Sequence, residues 1–158
     1  MLIVADTSAL LALVACDGLP LLDALFQEIR VPPAVFRECT VPGKPGAEHL
    51  DRYLCTRVTE IDLSAYVIAA TGLGRGELEA MALYKCLHAD RLLVDDSRAR
   101  KIAQFNAIAI IGSVGVLLQA KKHALIPTIR SPMEAIQAAG IHIGEQLFTE
   151  ALRLAGEA

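Results

Sequence analysis

The chain has no tryptophan, and its 158 residues include only three tyrosines and four phenylalanines. Single-strand nucleic-acid binding built on base stacking needs aromatic platforms, so stacking is excluded here as the main mode of recognition. Cys16, Cys39, Cys55 and Cys86 stand singly, with no Cys-x-x-Cys pair. Their apolar neighbours make them free thiols rather than disulfide partners or zinc ligands. His49, His88, His123 and His142 show no ligand spacing either. No apolar run approaches the roughly eighteen residues that cross a membrane. Leu2 to Cys16 comes closest, but Asp6 interrupts it and no basic residue precedes it as in a signal peptide. The expectation is a cytoplasmic protein with no membrane segment. Repeats and low-complexity tracts are absent as well.

What is present is a large apolar fraction, 54% of the chain, enough for a continuous core in one domain. We expect a single domain over 1–158, with a core of about 1–125 and a helical C-terminal extension of about 126–158. The net charge of −3 conceals an asymmetry. Residues 1–80 carry eleven acids against six bases, and residues 81–158 carry seven against nine. The basic residues of the second half, Arg98, Arg100 and Lys101 among them, suit a phosphate-bearing substrate beside an acidic site. They equally suit solvated helix faces.

Read in order, Leu2-Ile-Val-Ala5 is a short apolar run of the kind a buried parallel strand shows, and Asp6-Thr7-Ser8 follows it. A helix begins at Ser8, and helical spacing resumes over Leu19 to Glu28. Ile29 to Val31 is a brief strand. Pro32-Pro33 ends it and opens a short helix to Cys39. Val41 to Gly46 is a Pro/Gly loop, Ala47 to Leu54 a helix, Cys55 to Ile61 ambiguous, and Asp62 to Ala70 a helix candidate. Gly72-Leu-Gly74-Arg-Gly76 turns into a helix over Glu77 to His88. Arg91 to Val94 is a strand ending in Asp95-Asp96, then come a helix over Arg98 to Phe105, a strand over Ala107 to Ile111, a helix to Lys122 and two final helices. Alternating strands and helices imply a parallel sheet covered on both faces.

In such a sheet Asp6 and Asp95/Asp96 fall on the carboxyl edge, where open α/β sheets place their chemistry. Glu77 starts a helix after a glycine turn, and Glu38 ends the short helix beside the second strand. Gathered, these acids raise one another's pKa unless a cation compensates. Mg²⁺ or Mn²⁺ suits an all-carboxylate set lacking His and Cys, and phosphodiester hydrolysis suits such a metal. Each acid also has a local role open to it. Asp6, Asp96 or Ser97 would serve as a helix cap, Glu77 or Glu79 would favour the positive end of its own helix, and Glu38 would be solvated. Gly72-x-Gly-x-Gly and Gly112-Ser-Val-Gly115 are weak matches to phosphate-binding loops, and neither has a nucleotide loop's full pattern. A dehalogenase-type phosphatase needs Asp-x-Asp after the first strand, where this chain has Ser8.

Val4-Ala-Asp6-Thr7-Ser8, Val31-Pro-Pro-Ala-Val-Phe-Arg-Glu38, Gly74-Arg-Gly76-Glu77-Leu-Glu79-Ala and Leu92-Leu-Val-Asp95-Asp96-Ser-Arg-Ala-Arg100, in that order, resemble the acid-bearing segments of PIN-domain proteins. They resemble in particular a VapC-like subgroup with an Asp-Asp segment and an extended tail. Ile111 to Leu118 and Ile141 to Glu157 resemble it too. The resemblance implies a three-layer αβα sandwich around a parallel sheet, and a metal-dependent ribonuclease acting on single-stranded RNA. It further implies the toxin half of a toxin–antitoxin pair, an antitoxin protein as partner, and a homodimer. Asp6, Glu38, Glu77, Asp95 and Asp96 become the catalytic set, with Asp6, Glu77, Asp95 and Asp96 on the metal. Thr7, Ser8, Ser113 and Arg98 become substrate-side or supporting residues. Many PIN domains carry a further acid after the last core strand, whereas Gly112-Ser113 stands there in this chain. That departure leaves a second reading, a catalytically inactive PIN-like module that binds RNA or protein. A third is a small phosphatase.

Overall fold

The computed structural model describes residues 1–66 and 68–158. Its centre is β1 (Leu2–Ala5), flanked by β2 (Glu28–Arg30) on one side and β3 (Arg91–Leu93) on the other, with β4 (Ile110–Ile111) beyond β3. All three pairings are parallel, with Ile3 opposite Ile29, Val4 opposite Leu92 and Leu93 opposite Ile111. Ile3, Val4 and Ala5 are fully buried. A strand covered on both faces reads as an unbroken apolar run, and the first residues read that way. The result is the α/β three-layer arrangement expected from the sequence.

The helices are α1 (Thr7–Ala15), α2 (Leu19–Leu25), α3 (Pro33–Cys39), α4 (Ala47–Leu54), α5 (Arg75–Leu87), α6 (Ser97–Phe105), α7 (Ser113–Lys122), α8 (Arg130–Ala138) and α9 (Glu145–Leu154). Among the described residues no single helix is long and apolar enough to cross a membrane. The apolar α1 is instead a core helix, with Ala9, Leu10, Ala12 and Leu13 fully buried. It packs against α3, α7 and α8 and serves two apolar clusters. One surrounds the sheet, and the other joins Ala12 and Leu117 to Ile129, Met133, Ile136, Ala151 and Leu152 of the tail. The C-terminal extension is thus fastened to the core through α1 and α7.

Several boundaries differ from the sequence reading. The helix expected over Leu19 to Glu28 stops at Leu25, because the amides of Gln27 and Glu28 bond the Met1 carbonyl and draw the chain into β2. Within 55–61, Val58 forms a parallel bridge to Val31, adding a rudimentary strand to that edge. The strand expected over Ala107 to Ile111 shrinks to Ile110–Ile111. Ala107 adopts the left-handed conformation, with φ 59°, and the Ile108 amide bonds back to Ala103 O, so these residues close α6. The helix candidate over Asp62 to Ala70 includes Val67, which lies outside the described residues. The rest holds only a 3₁₀ turn at Leu63–Ala65, where the Asp62 side chain accepts from Ser64 N. Tyr66 is extended, and the Ala69 backbone is bonded to the Asn106 side chain. Tertiary hydrogen bonding overrides local helical composition there.

The strand order β2-β1-β3-β4 sends the connections from β1 to β2 and from β2 to β3 to opposite sides of β1. That reversal makes a topological switch point, and the carboxyl ends of β1 and β3 border its crevice.

Candidate active site

Asp6 follows β1 directly and is 3% exposed. It occupies the N-cap position of α1, yet its side chain caps no amide. Its Oδ1 is buried without a hydrogen-bond partner among the described residues. Oδ2 accepts only a long bond from Ser8 Oγ, 3.4 Å. Burial pushes the Asp6 carboxyl up to about 6; the Thr7 amide and Ser8 hydroxyl oppose the shift, and the charges of Glu77 and Glu38 reinforce it. The carboxylates of Glu38 on α3 and Glu77 on α5 thus lie near enough for their charge to be felt at Asp6, just past the end of β1.

Each is held by a distinct device. Thr7 Oγ1 donates to Glu38 Oε2 at 2.6 Å, tying the end of α3 to the start of α1. Ser8 Oγ accepts from the backbone amides of Asp95 (3.0 Å) and Asp96 (3.2 Å) while donating to Asp6. One hydroxyl therefore links the ends of β1 and β3. Glu77 sits in the first turn of α5, where negative charge is favoured. Glu79, which the sequence did not separate from Glu77, is buried and paired with Arg75 at 3.0 Å. Glu77 is the one whose charge reaches Asp6.

The two aspartates after β3 go different ways. Asp95 Oδ1 accepts from Ser113 N at 2.7 Å and Oδ2 from Ser113 Oγ at 2.6 Å, so it anchors the start of α7. Asp96 caps α6 by accepting from Ala99 N at 2.8 Å. Arg98, read from sequence as a substrate contact, donates to Thr71 O at 3.0 Å. Arg100 donates to Val94 O at 3.1 Å and lines, with Ser8, Asp95 and Ser113, a cleft of about 790 Å³ whose far wall is Ile141 to Gly144 and Leu147 of the tail.

Sequence reasoning set aside the glycines as decoys, and they turn out to make room for the site. A Cβ on Gly76 would lie 2.6–2.9 Å from the Glu38 carboxyl group, and one on Gly74 would lie 2.7 Å from Glu77 Oε2. On Gly112 it would approach Arg100 Nη1 at 2.7 Å and Asp95 Oδ1 at 2.9 Å. The signal was the Gly-x-Gly-x-Gly spacing itself, which clears space for carboxylates and not for a phosphate.

Among the described residues no three His, Cys, Asp or Glu side chains are already close enough to hold a metal ion. The donor chemistry nevertheless fits a hard divalent cation. An orphaned carboxylate oxygen of Asp6 and two further carboxylates in glycine cradles supply oxygen ligands only. Searches of curated proteins and of solved structures returned no significant match. A family model described as PIN domain matches residues 2–157. With nearly the whole chain covered and a parallel sheet carrying acids at its switch point, the chain belongs to the PIN-domain family.

Proposed function

We propose that the acid edge is the active site of a metal-dependent ribonuclease that hydrolyses phosphodiester bonds of single-stranded RNA. PIN domains are nucleases in general; the metal, the RNA substrate and the residue roles are our finer reading. The observation that carries it is Asp6, a buried carboxylate with an unpartnered oxygen, pressed by the charges of Glu38 and Glu77. Clustered negative charge of this kind is relieved by a cation.

Asp6, Glu38 and Glu77 would hold Mg²⁺ or Mn²⁺, with Asp95 and Asp96 at the same edge. Bound there, such an ion supplies Lewis acidity toward a phosphoryl oxygen and lowers the pKa of a water. The chain's own residues do the rest. Thr7 holds the Glu38 carboxylate at the start of α1, Ser8 holds the β3 end against the β1 end, and Ser113 fixes Asp95. Arg100 stands in the adjoining cleft, where a cation favours a phosphate backbone. A cytoplasmic homodimer serving as the VapC-like toxin of a toxin–antitoxin pair is the biological setting that accords with this reading.

The test is cleavage of a labelled single-stranded RNA with Mn²⁺ or Mg²⁺. We expect metal-dependent cleavage, abolished by chelation and reduced at least about 100-fold by Asp6→Asn. Wild-type rates in Asp6→Asn would remove Asp6 from the mechanism. Ser113 in place of an acid, and the lack of a preformed three-ligand group among the described residues, favour one competing reading, an inactive RNA- or protein-binding module. Calorimetric titration separates the two, since the module predicts no Mn²⁺ heat that depends on Asp6.

A further inference from the structure

We propose that Arg98 and Asn106 are positioning residues for Glu77, anchoring the glycine loop that leads into α5 to the helix that starts at Asp95-Asp96. The proposal rests on the reading of Glu77 as part of the acidic site. Asn106 follows the last residue of α6 and grips Ala69 from both sides. Its Oδ1 accepts from Ala69 N at 2.9 Å and its Nδ2 donates to Ala69 O at 2.9 Å. The same Nδ2 donates to Ile102 O at 2.8 Å, which fixes the amide on its own helix. Near the other end of α6, Arg98 Nη2 donates to Thr71 O. Its guanidinium lies over Gly72, where φ is +71° and an added Cβ would require the guanidinium to shift. Glycine at 72 and arginine at 98 are therefore a matched pair.

The loop needs this anchoring. Gly72-Leu73-Gly74 has high backbone freedom, and Gly74 enters α5 with no side-chain cap. Three residues later Glu77 carries its charge toward Asp6. Ordering such a segment has an entropic cost, and three hydrogen bonds from one helix offset it. Because α6 opens with the Asp96 cap, the anchors refer Glu77 and the Asp95-Asp96 end of β3 to one rigid element. The Nη2 bond to Thr71 O places the guanidinium against the loop that leads into α5.

The experiment compares wild type, the double variant Arg98→Ala/Asn106→Ala, and Arg98→Lys, which keeps a donor for Thr71 O. Three quantities are read: Mn²⁺ affinity by calorimetry, kcat and KM on single-stranded RNA, and amide hydrogen exchange over 69–78. The double variant should bind Mn²⁺ roughly 10-fold more weakly, the scale of a lost supporting contact at a metal site. It should lose kcat with KM little changed, exchange faster through the Leu78 amide, and keep its melting temperature within a few degrees. Arg98→Lys should recover most of the Mn²⁺ affinity. Faster exchange over 69–74 with unchanged Mn²⁺ affinity and kcat would overturn the proposal, as would unchanged exchange throughout. If wild type neither binds Mn²⁺ nor cleaves RNA, the metal reading fails on its own. The anchor is then judged by exchange at Glu77 and Leu78, where acceleration in the double variant supports it and constancy overturns it.

Discussion

Asp6 stands at a helix start where its side chain caps no amide, with one buried oxygen unpartnered among the described residues. Such a side chain costs stability whenever it is ionised without a cation. Its folded pKa is raised from 3.8 to about 6, so the folded state holds its proton more tightly than the unfolded chain does. Stability from this group is fully present below about pH 4 and declines as pH rises through about 6. The shift corresponds to about 3 kcal/mol at neutral pH. Metal-free Asp6→Asn should therefore exceed wild type in stability by a margin that widens from pH 4 to pH 7, as followed by urea denaturation. A margin independent of pH would show that Asp6 is not the strained group. Saturating Mn²⁺ should stabilise wild type selectively, because a ligand bound only by the folded state adds to its stability.

At the scale of elements, the segment from 72 to 77 shows how a helix start can be shaped around other side chains. Gly76 lies inside the first turn of α5, where alanine is favoured by up to about 1 kcal/mol. Its missing Cβ is the space in which the Glu38 carboxylate rests, bonded to Thr7. Gly76→Ala should leave the melting temperature unchanged or slightly raised, because a flexible carboxylate can swing aside. Displacing Glu38 should nevertheless weaken Mn²⁺ binding and RNA cleavage about 10-fold or more. Thermal melts and calorimetry on the same sample check both halves, and a parallel loss of stability and binding would mean the glycine serves folding alone. Gly112 is shaped by the same kind of crowding, between Arg100 and Asp95.

At the scale of the whole molecule, the C-terminal tail closes on the core through Glu157. Its carboxylate accepts from Lys121 Nζ (2.7 Å), Ile129 N (2.7 Å), Thr128 Oγ1 (2.6 Å) and Arg130 N (3.2 Å). It thereby joins the end of α7 to the start of α8, where the helix dipole favours negative charge. Desolvation opposes ionisation, but the four donors prevail and draw its pKa from 4.5 down to about 2. A depressed pKa gives stability that is complete above about pH 4.5 and lost as pH falls toward 2. Glu157→Ala should lower stability by about 2 kcal/mol at pH 7, with the difference from wild type shrinking as pH falls from 4.5. Limited proteolysis near 123–129 should rise in parallel, and an unchanged cleavage pattern would mean the tail docks through its apolar cluster alone.

The sequence by itself determined the layered α/β fold, because a buried strand must be continuously apolar and the helices between strands have their own period. It also singled out candidate acids, since Asp6 and Asp95-Asp96 directly follow apolar runs and Glu77 follows glycine. The helix candidate at 62–70 was misread because the partner of Ala69 is Asn106, 37 residues away, and no local pattern encodes that bond. What each acid is bonded to was likewise decided only in three dimensions. Asp96 turned to its own helix, Asp95 to Ser113 and Glu79 to Arg75, leaving Asp6 as the buried carboxylate with an unpartnered oxygen. Hydrophobic order is written along the chain as periodicity. Hydrogen-bond partnership and the space cleared by a glycine depend on which segments meet, and that is a property of the packed structure.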